Sequence, residues 1–246
     1  RNATMKITYA GHTLLTDPML APKDAYDGFA GLARNPTVGL PLAVEEILAD
    51  VEAVLVSHDH PDHLDPAAVE LLPKALPLFC QPGEVEKMGA NGFGKVTVIE
   101  DSMKWEAITL TRTGGAHGRG EIGRRMGPVS GFVLQAPSEP TLYWVGDSIW
   151  CEPVESAIAQ HRPDIIVTHS GGATLPGFDP IIMDARETLR VARSAPDAVV
   201  VAVHLEALDH CPVTRRELRR SAEEAGIPSS RLLIPADGEI MRLPRP

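Results

Sequence analysis

One short stretch of the sequence concentrates imidazole and carboxylate groups, which are ligands that suit zinc, manganese and iron. It carries three histidines and two aspartates within six residues, in the order His58-Asp59-His60-Pro61-Asp62-His63. Alternate residues of an extended segment point to the same side, so His58 and His60 can hold one ion. Asp62 and His63 follow the turn at Pro61, where they can face a second ion. The stretch therefore predicts a metal site rather than a solvated polar loop.

The elements around that stretch predict how further ligands reach it. An apolar run at 53–56 precedes the stretch and predicts a buried strand. Three other strand-like or glycine-rich segments also end in a side chain that binds metals, and these side chains are His117, Asp147 and His204. In layered α/β folds, rigid strands hold ligands at their ends while the adjoining loops admit substrate. One shared site therefore explains the four segments better than four coincidences do.

The histidines and aspartate of 58–63 form the pattern HxHxDH, which resembles the signature of the metallo-β-lactamase superfamily. Members of that superfamily are mostly metal-dependent hydrolases. His117, Asp147 and His204 follow in the order of the family's remaining ligands, so the resemblance covers nearly the whole chain. It implies an α/β fold, a four-layer αββα sandwich with its metal site at one edge. We expect a single domain of this kind to span residues 1–246.

The resemblance also implies which ligands share an ion. One ion would be held by His58, His60 and His117, the other by Asp62, His63 and His204, with Asp147 bridging the two. We expect two divalent ions, with zinc as the first choice. Because the set contains no thiolate, manganese and iron remain alternatives. A water shared by two such ions becomes hydroxide near neutral pH. Asp62 would orient that hydroxide and carry a proton to the leaving group.

Two more histidines could enter the same site. His169 ends the strand predicted at 164–168, and we expect it to bind substrate or to replace one of the ligands. His210 comes shortly after His204 and could line the same pocket as a catalytic proton donor or as an anion contact; a polar loop position is the alternative. His12, in a predicted hairpin turn, and His161, at a predicted helix end, are expected to be structural.

A glycine-rich segment at 118–127 follows His117 and contains Arg119, Arg124 and Arg125. Arginine forks recognise carboxylate and phosphate groups, so these three residues could bind an anionic substrate. An exposed, flexible hairpin loop is the alternative interpretation, and the sequence does not decide between them.

The segments 170–173 and 182–185 add a narrower resemblance, to the branch that contains L-ascorbate-6-phosphate lactonase. The Asp17-Pro18 pair is similar to an early turn of that branch and is expected to support the metal ligands from behind. The chain departs from the branch at 119–126 and 204–211, so the exact substrate does not transfer.

These features predict a hydrolase that cleaves a small, anionic lactone, cyclic amide or ester. A phosphodiesterase or nuclease of the same fold is one alternative, and a metal-binding oxidoreductase or ligand-binding module that hydrolyses nothing is another. Di-iron relatives usually replace a histidine of the second site by a carboxylate. Because His63 and His204 are both present, the oxidoreductase is the weaker alternative.

Composition narrows the class of protein further. The chain has 246 residues and a net charge of −10, which argues against general binding to nucleic acid. Its three scattered cysteines predict a reducing compartment, so we expect a cytoplasmic protein. It contains no apolar run long enough to cross a membrane. A small-molecule substrate is the expected partner, and a homo-oligomer is left open because the tryptophans and the loop at 19–41 could form either a dimer contact or a pocket wall.

Periodicity and capping residues predict the order of the elements. A hairpin opens the chain, and we expect helices at 42–50, 65–72, 83–88, 153–161, 184–195 and 214–225. Further strands are predicted near 53–56, 78, 96–99, 107–111, 129–135, 142–145, 164–168, 198–203 and 231–234. Strands cluster in two sets with helices outside each set, which favours the same helix–sheet–sheet–helix sandwich.

Overall fold

Two β-sheets packed face to face form the centre of the protein in a computed structural model, which describes residues 1–243. The strands of the first sheet are β1 Met5–Tyr9, β2 His12–Thr16, β3 Ala53–Leu55, β4 Pro77–Cys80 and β5 Lys95–Val98. The strands of the second sheet are β6 Ser102–Trp105, β7 Ile108–Gly114, β8 Ser130–Gln135, β9 Leu142–Trp144, β10 Ile165–His169, β11 Val199–Val203 and β12 Leu232–Leu233. In each sheet the strands lie side by side in chain order.

Of the seven helices among residues 1–243, six cover the outer faces of the two sheets. The seven helices are α1 Val44–Leu48, α2 Pro66–Leu71, α3 Val85–Ala90, α4 Gly120–Met126, α5 Glu152–His161, α6 Ala185–Ser194 and α7 Arg215–Glu224. The first three pack on the five-stranded sheet, where Ala68 and Met88 are buried against Val54. The last three pack on the seven-stranded sheet through side chains such as Val154 and Leu218.

The alternation of side chains along the strands explains the layers. In β9, Leu142 and Trp144 join the core between the two sheets, while Tyr143 faces the helices on the outside. Successive side chains of a strand point to opposite faces, so a strand buried on both faces belongs to a central layer. The predicted four-layer αββα sandwich is confirmed.

Parallel strand pairing brings the candidate ligands to one edge. β9, β10 and β11 are parallel neighbours, and Asp147, His169 and His204 lie at or just beyond their carboxyl ends. β3 runs parallel to β2 and β4, and the stretch 58–63 follows its end. Parallel strands end at the same edge of a sheet, which is why distant residues meet there.

Helix caps agree with the sequence. Asp65, Asp184 and Thr214 each accept a hydrogen bond from a backbone N–H in the first turn of the helix that follows. Such caps satisfy amide groups that have no partner within the helix. Thr214 and Glu217 form a reciprocal capping box.

The segment predicted as a flexible, glycine-rich loop forms helix α4 instead. Ile122 is buried against Ile181, and Arg125 pairs with Glu121 one turn earlier. Gly123 lies so close to the carbonyl oxygen of Gly118 that a β-carbon would come within 2.6 Å of it. Glycine lowers helix propensity, which hid this helix from the sequence, but burial of Ile122 and the close backbone approach compensate.

Three smaller features also differ from the sequence predictions. Strand β6 was not predicted, because this edge strand alternates only between exposed and half-buried residues. Helix α1 is shorter than the predicted 42–50, and α3 begins at Val85 rather than at residue 83. Helix ends are the least certain part of a sequence-based prediction.

None of the helices among residues 1–243 is long and apolar enough to cross a membrane. Residues 244–246 lie outside the described part of the chain, and a single domain over 1–246 stays a prediction.

Candidate metal centre

Three histidines form the first group of candidate ligands. The Nδ1 atom of His60 lies 2.9 Å from Nε2 of His58 and 3.3 Å from Nε2 of His117. His58 and His117 are buried, and His60 is half-buried. The loop after β3 and the loop after β7 therefore present three imidazole nitrogens to one point.

The second group contains Asp62, His63 and His204. Oδ2 of Asp62 lies 3.1 Å from Nε2 of His204 and 3.4 Å from Nε2 of His63. All three side chains are buried. Asn2 donates to the backbone oxygen of Asp62 at 3.0 Å and so helps to fix the loop.

Asp147 lies between the two groups. Its Oδ2 is 3.0 Å from Nε2 of His63 and 3.6 Å from Nε2 of His117. Its Oδ1 is 3.6 Å from Nε2 of His204. The seven residues predicted as ligands are thus brought together, and the carboxylate predicted to bridge occupies the position between the groups.

The donor atoms fit divalent ions in kind and in spacing. A tetrahedral ion with bonds of about 2.0–2.1 Å places neighbouring ligand atoms roughly 3.3 Å apart. The closest donor–donor contacts within and between the groups lie between 2.9 Å and 3.9 Å. Imidazole nitrogen and carboxylate oxygen suit zinc, manganese and iron, so the donor set alone does not select one metal.

The electrostatics of the pocket also favour a cation. Burial lowers the pKa of His58 well below its ordinary value and that of His117 to about 4, so both rings are neutral, as metal ligation requires. Burial opposes the charge of Asp62 and Asp147, yet the adjacent histidines, His63 foremost, hold the pKa of both carboxyl groups well below the usual range. Against burial, the two carboxylates in turn raise the pKa of His63 and His204 well above the ordinary value, so negative and positive groups are paired here, and a bound cation would take the place of the histidine protons.

Hydrogen bonds from behind orient the ligand rings. Nδ1 of His63 lies 2.6 Å from Oδ2 of Asp17, and Nδ1 of His117 lies 2.9 Å from the backbone oxygen of Ile181. Both acceptors place the ring proton on Nδ1 and leave the Nε2 lone pair facing the site. Asp17 also accepts from the backbone and the hydroxyl of Ser57, at 2.8 Å and 2.7 Å. Asp17 is expected from the sequence to support the metal ligands from behind, and it contacts one of them, His63, as a carboxylate–histidine pair.

His169 is held in one tautomer by Trp144. The indole Nε1–H donates to Nε2 of His169 at 3.0 Å, and an indole nitrogen can only donate. Nε2 therefore carries the lone pair, so Nδ1 carries the proton and donates it to Oδ1 of Asp147 at 2.6 Å. This arrangement positions Asp147, and because His169 also lies within 4.8 Å of the donor atoms of His63, Asp147 and His204, its role as a ligand stays a prediction. The side chain is fully buried, and its predicted contact with substrate stays a prediction.

Replacing His169 by alanine should destabilise the protein but leave its metal content unchanged. The substitution leaves the Trp144 indole N–H and one oxygen of Asp147 unpaired in the interior, which costs about 1–3 kcal/mol for each group. Chemical denaturation would measure the stability, and elemental analysis would count the ions. A loss of one bound ion would show instead that His169 is a ligand.

His210 is placed beside the second group, on the loop after β11. It is buried, its Nδ1 has no hydrogen-bond partner among residues 1–243, and Phe29 packs edge-on against its ring at 5.1 Å. Burial lowers the pKa of His210. Its catalytic role stays a prediction.

The adjacent Asp209 ties the loop at 19–41 to the site. Its carboxylate accepts from the backbone N–H groups of Phe29, Ala30 and Leu32 and from the side chain of Asn35. These contacts fix the loop beside His210, and its role as a pocket wall or a dimer contact stays a prediction.

The three arginines lie on the surface around α4. Arg119 donates to Glu187 at 3.1 Å, and Arg125 pairs with Glu121 while its guanidinium lies over the ring of Phe178. Arg124 is exposed. Two of the three therefore have partners within the protein, and substrate binding by this group stays a prediction.

A cleft of about 270 Å³ opens beside the first group of ligands. The side chains that line it and matter for chemistry are His58, Asp59, His60, Gln81, Glu84 and Met126. No lysine or arginine lines it within the described part of the chain. Nothing in the local sequence pattern distinguishes Glu84 from other acidic residues before a helix, so sequence reasoning missed it.

The fold and the site agree with known proteins. A β-lactamase superfamily domain model matches residues 12–205. The chain belongs to the metallo-β-lactamase superfamily, and it is a metal-dependent hydrolase.

Individual relatives match over almost the full length of the chain. UPF0173 protein YddR of Bacillus subtilis is 40% identical over 97% of this chain and 96% of its own length. The crystal structure of a possible metal-dependent hydrolase from Veillonella parvula has a TM-score of 0.94 and 37% identity, covering 97% of this chain and 95% of that one. The crystal structure of an isothiocyanate hydrolase from Delia radicum gut bacteria has a TM-score of 0.93 and 39% identity, covering 99% of this chain and 97% of that one.

Proposed function

We propose that the chain is a two-metal hydrolase that adds water to an electrophilic carbon of a small molecule. The proposal depends on one observation above the others, which is the position of Asp147 between two groups of three ligands. His58, His60 and His117 would hold one ion, and Asp62, His63 and His204 the other, with Asp147 shared by both. Zinc is the metal we expect, with manganese and iron as the alternatives.

Ions bound there would supply an acidified water and a positive charge beside the reacting oxygen of the substrate. The chain's own residues then orient the reactants. Asp62, fixed by Asn2 and His204, orients the attacking water and moves its proton. His210, whose Nδ1 makes no hydrogen bond among residues 1–243 and lies 3.9 Å from Oδ1 of Asp209, would contact the substrate oxygen that gains negative charge.

The lining of the cleft favours a small and uncharged substrate. Its volume is about 270 Å³, and the acidic side chains in its walls are Glu84 and Asp59. Asp59 pairs with Lys87, so its charge is balanced. The anionic substrate predicted from the sequence depends on Arg119, Arg124 and Arg125, which lie outside this lining. A lactone, a cyclic amide or an ester remains within the proposal, and the narrower likeness to the L-ascorbate-6-phosphate lactonase branch stays a prediction.

A second candidate is hydrolysis of an isothiocyanate. The isothiocyanate hydrolase described above supports it, since that protein is 39% identical over almost the entire chain. The central carbon of an isothiocyanate is electrophilic and uncharged, so the same water attack applies.

A substrate screen with metal removal and reloading tests both candidates. We expect chelated protein to be inactive and protein reloaded with zinc, manganese or iron(II) to hydrolyse a lactone, a cyclic amide, an aryl ester or an isothiocyanate. Bis(4-nitrophenyl) phosphate is included to detect a phosphodiesterase. Activity that is equal with and without metal, or activity confined to the phosphodiester, would contradict the proposal.

A further inference from the structure

Glu84 is a buried carboxyl group in the wall of the cleft, and the mechanism above does not use it. Its side chain is only 8% exposed, although it precedes a surface helix. The cleft that it lines also contains the candidate ligands His58 and His60. A buried carboxyl group beside a reaction centre needs a reason, because burial without full pairing destabilises the fold.

One oxygen of Glu84 is fixed and the other is free. Oε1 accepts from Nε2 of Gln81 at 2.7 Å. Oε2 is buried and has no close hydrogen-bond partner among residues 1–243, although the backbone N–H of Asp59 also faces the carboxyl group. The carboxyl group is thus oriented through one atom while the other remains available to a bound molecule.

The group that fixes Glu84 is itself saturated. Gln81 donates also to the backbone oxygen of Pro128 at 2.9 Å, and its Oε1 accepts from the hydroxyl of Ser130 at 2.8 Å. Ser130 is the first residue of β8 in the second sheet, whereas Gln81 directly follows β4 of the first sheet. Because both sheets contribute to this chain of contacts, the position of Glu84 is tied to the rigid core rather than to a surface loop.

We propose that Glu84 is a further catalytic residue, the general acid that protonates the leaving nitrogen of a substrate with a carbon–nitrogen bond. This inference rests on the proposed function and narrows it from esters and lactones to amides and related compounds. An amine anion is a poor leaving group and must receive a proton as the bond breaks, whereas an aryloxide leaves without one. Asp62 orients the attacking water and is not placed to protonate the leaving nitrogen as well, since it lies among the ligands and already contacts two of their rings.

The proton and electron balance is that of a simple hydrolysis. The water oxygen bonds to the acyl carbon, and the carbon–nitrogen bond breaks with its electron pair on nitrogen. That nitrogen takes the proton from Oε2 of Glu84. The proton that the attacking water releases then returns to Glu84. One water is consumed, and no oxidant or reductant takes part.

The surroundings keep Glu84 able to hold a proton near neutral pH. Burial raises its pKa to about 7, against the hydrogen bonds from the Gln81 side chain and the Asp59 backbone, and the negative charges of Asp59 and Asp17 act in the same direction as burial. Lys87 faces Asp59 and offsets part of that charge. An ordinary exposed glutamate would be ionised at this pH and could not donate.

The test compares two substrates that share an acyl group and differ in the leaving atom, butyryl 4-nitroanilide and 4-nitrophenyl butyrate. In metal-loaded Glu84→Gln, we expect kcat/KM for the anilide to fall by about 10²–10⁴-fold, which is the range of general acid catalysis. For the ester, we expect a change of less than roughly 3-fold, because 4-nitrophenolate needs no proton. Glu86→Gln, an exposed neighbour on α3, is the matched control and should change neither rate.

The possible results separate the proposed role of Glu84 from the proposed hydrolase function. An equal loss on both substrates, no loss on either, or wild-type cleavage of the ester alone would overturn the role of Glu84 while leaving the hydrolase intact. Wild-type protein that cleaves neither compound, in the metal-loaded form, counts against the proposed function itself. Glutamine keeps the oxygen that Gln81 contacts, and an unchanged unfolding midpoint verifies that the variant is folded.

Discussion

We expect that replacing either His60 or Asp147 by alanine abolishes hydrolysis and removes bound metal. His60 is the residue that contacts both other histidines of the first group, and Asp147 is the carboxylate between the two groups. Loss of either should reduce kcat by at least about 10³-fold, since the charge stabilisation that ions provide amounts to several kcal/mol. Steady-state kinetics and elemental analysis of the same preparations would measure both effects.

The fold should survive both substitutions. His60 is half-buried and leaves no large cavity, while Asp147→Ala leaves the proton of His169 unpaired at a cost of about 1–3 kcal/mol. His161→Ala, on a helix at the outer face of the sandwich, is the control and should retain metal and activity. Full activity in either His60→Ala or Asp147→Ala would show that the ligand assignment is wrong.

The second large effect is expected from Asp17→Asn, which changes no ligand. Asp17 accepts from His63 and the Ser57 hydroxyl at Oδ2 and from the Ser57 N–H at Oδ1, so either orientation of an asparagine amide turns its NH2 toward one of these donors. The substitution therefore weakens the contact that holds the His63 proton on Nδ1 and its Nε2 lone pair toward the metal site. We expect metal affinity or activity to fall by about 10–100-fold. Titration of the metal-free protein with zinc in a calorimeter would measure the change in metal affinity.

A chemically matched control lies on the surface of the same protein. His12 contacts Glu52 at 2.8 Å, which is also a carboxylate–histidine pair. Glu52→Gln should leave zinc affinity unchanged because that pair lies outside the ligand set. If Asp17→Asn bound zinc as tightly as Glu52→Gln does, the orienting role of Asp17 would be ruled out.

Much of the fold could be predicted because its determinants are local. Alternating apolar segments, the caps at Asp184 and Thr214, and ligand residues at strand ends are all visible in the sequence. Parallel pairing then brings those strand ends together without further information. The helix around Ile122 escaped prediction because its stability comes from contacts with Ile181 and not from its own glycine-rich composition.

The parts of the site that could not be predicted depend on contacts across space. The tautomer of His169 is set by Trp144, which lies in a neighbouring strand. Gln81 contacts only one oxygen of Glu84, and Gln81 is itself fixed by Ser130 of the second sheet. A sequence records the presence of these side chains but not which of their atoms remain without a partner.

The most direct measurement is anomalous X-ray diffraction from crystals of the zinc-loaded protein, collected above and below the zinc absorption edge. We predict two peaks per chain, one bounded by His58, His60 and His117 and the other by Asp62, His63 and His204, with the carboxylate of Asp147 adjacent to both. A single peak, or peaks away from these residues, would contradict the two-metal centre.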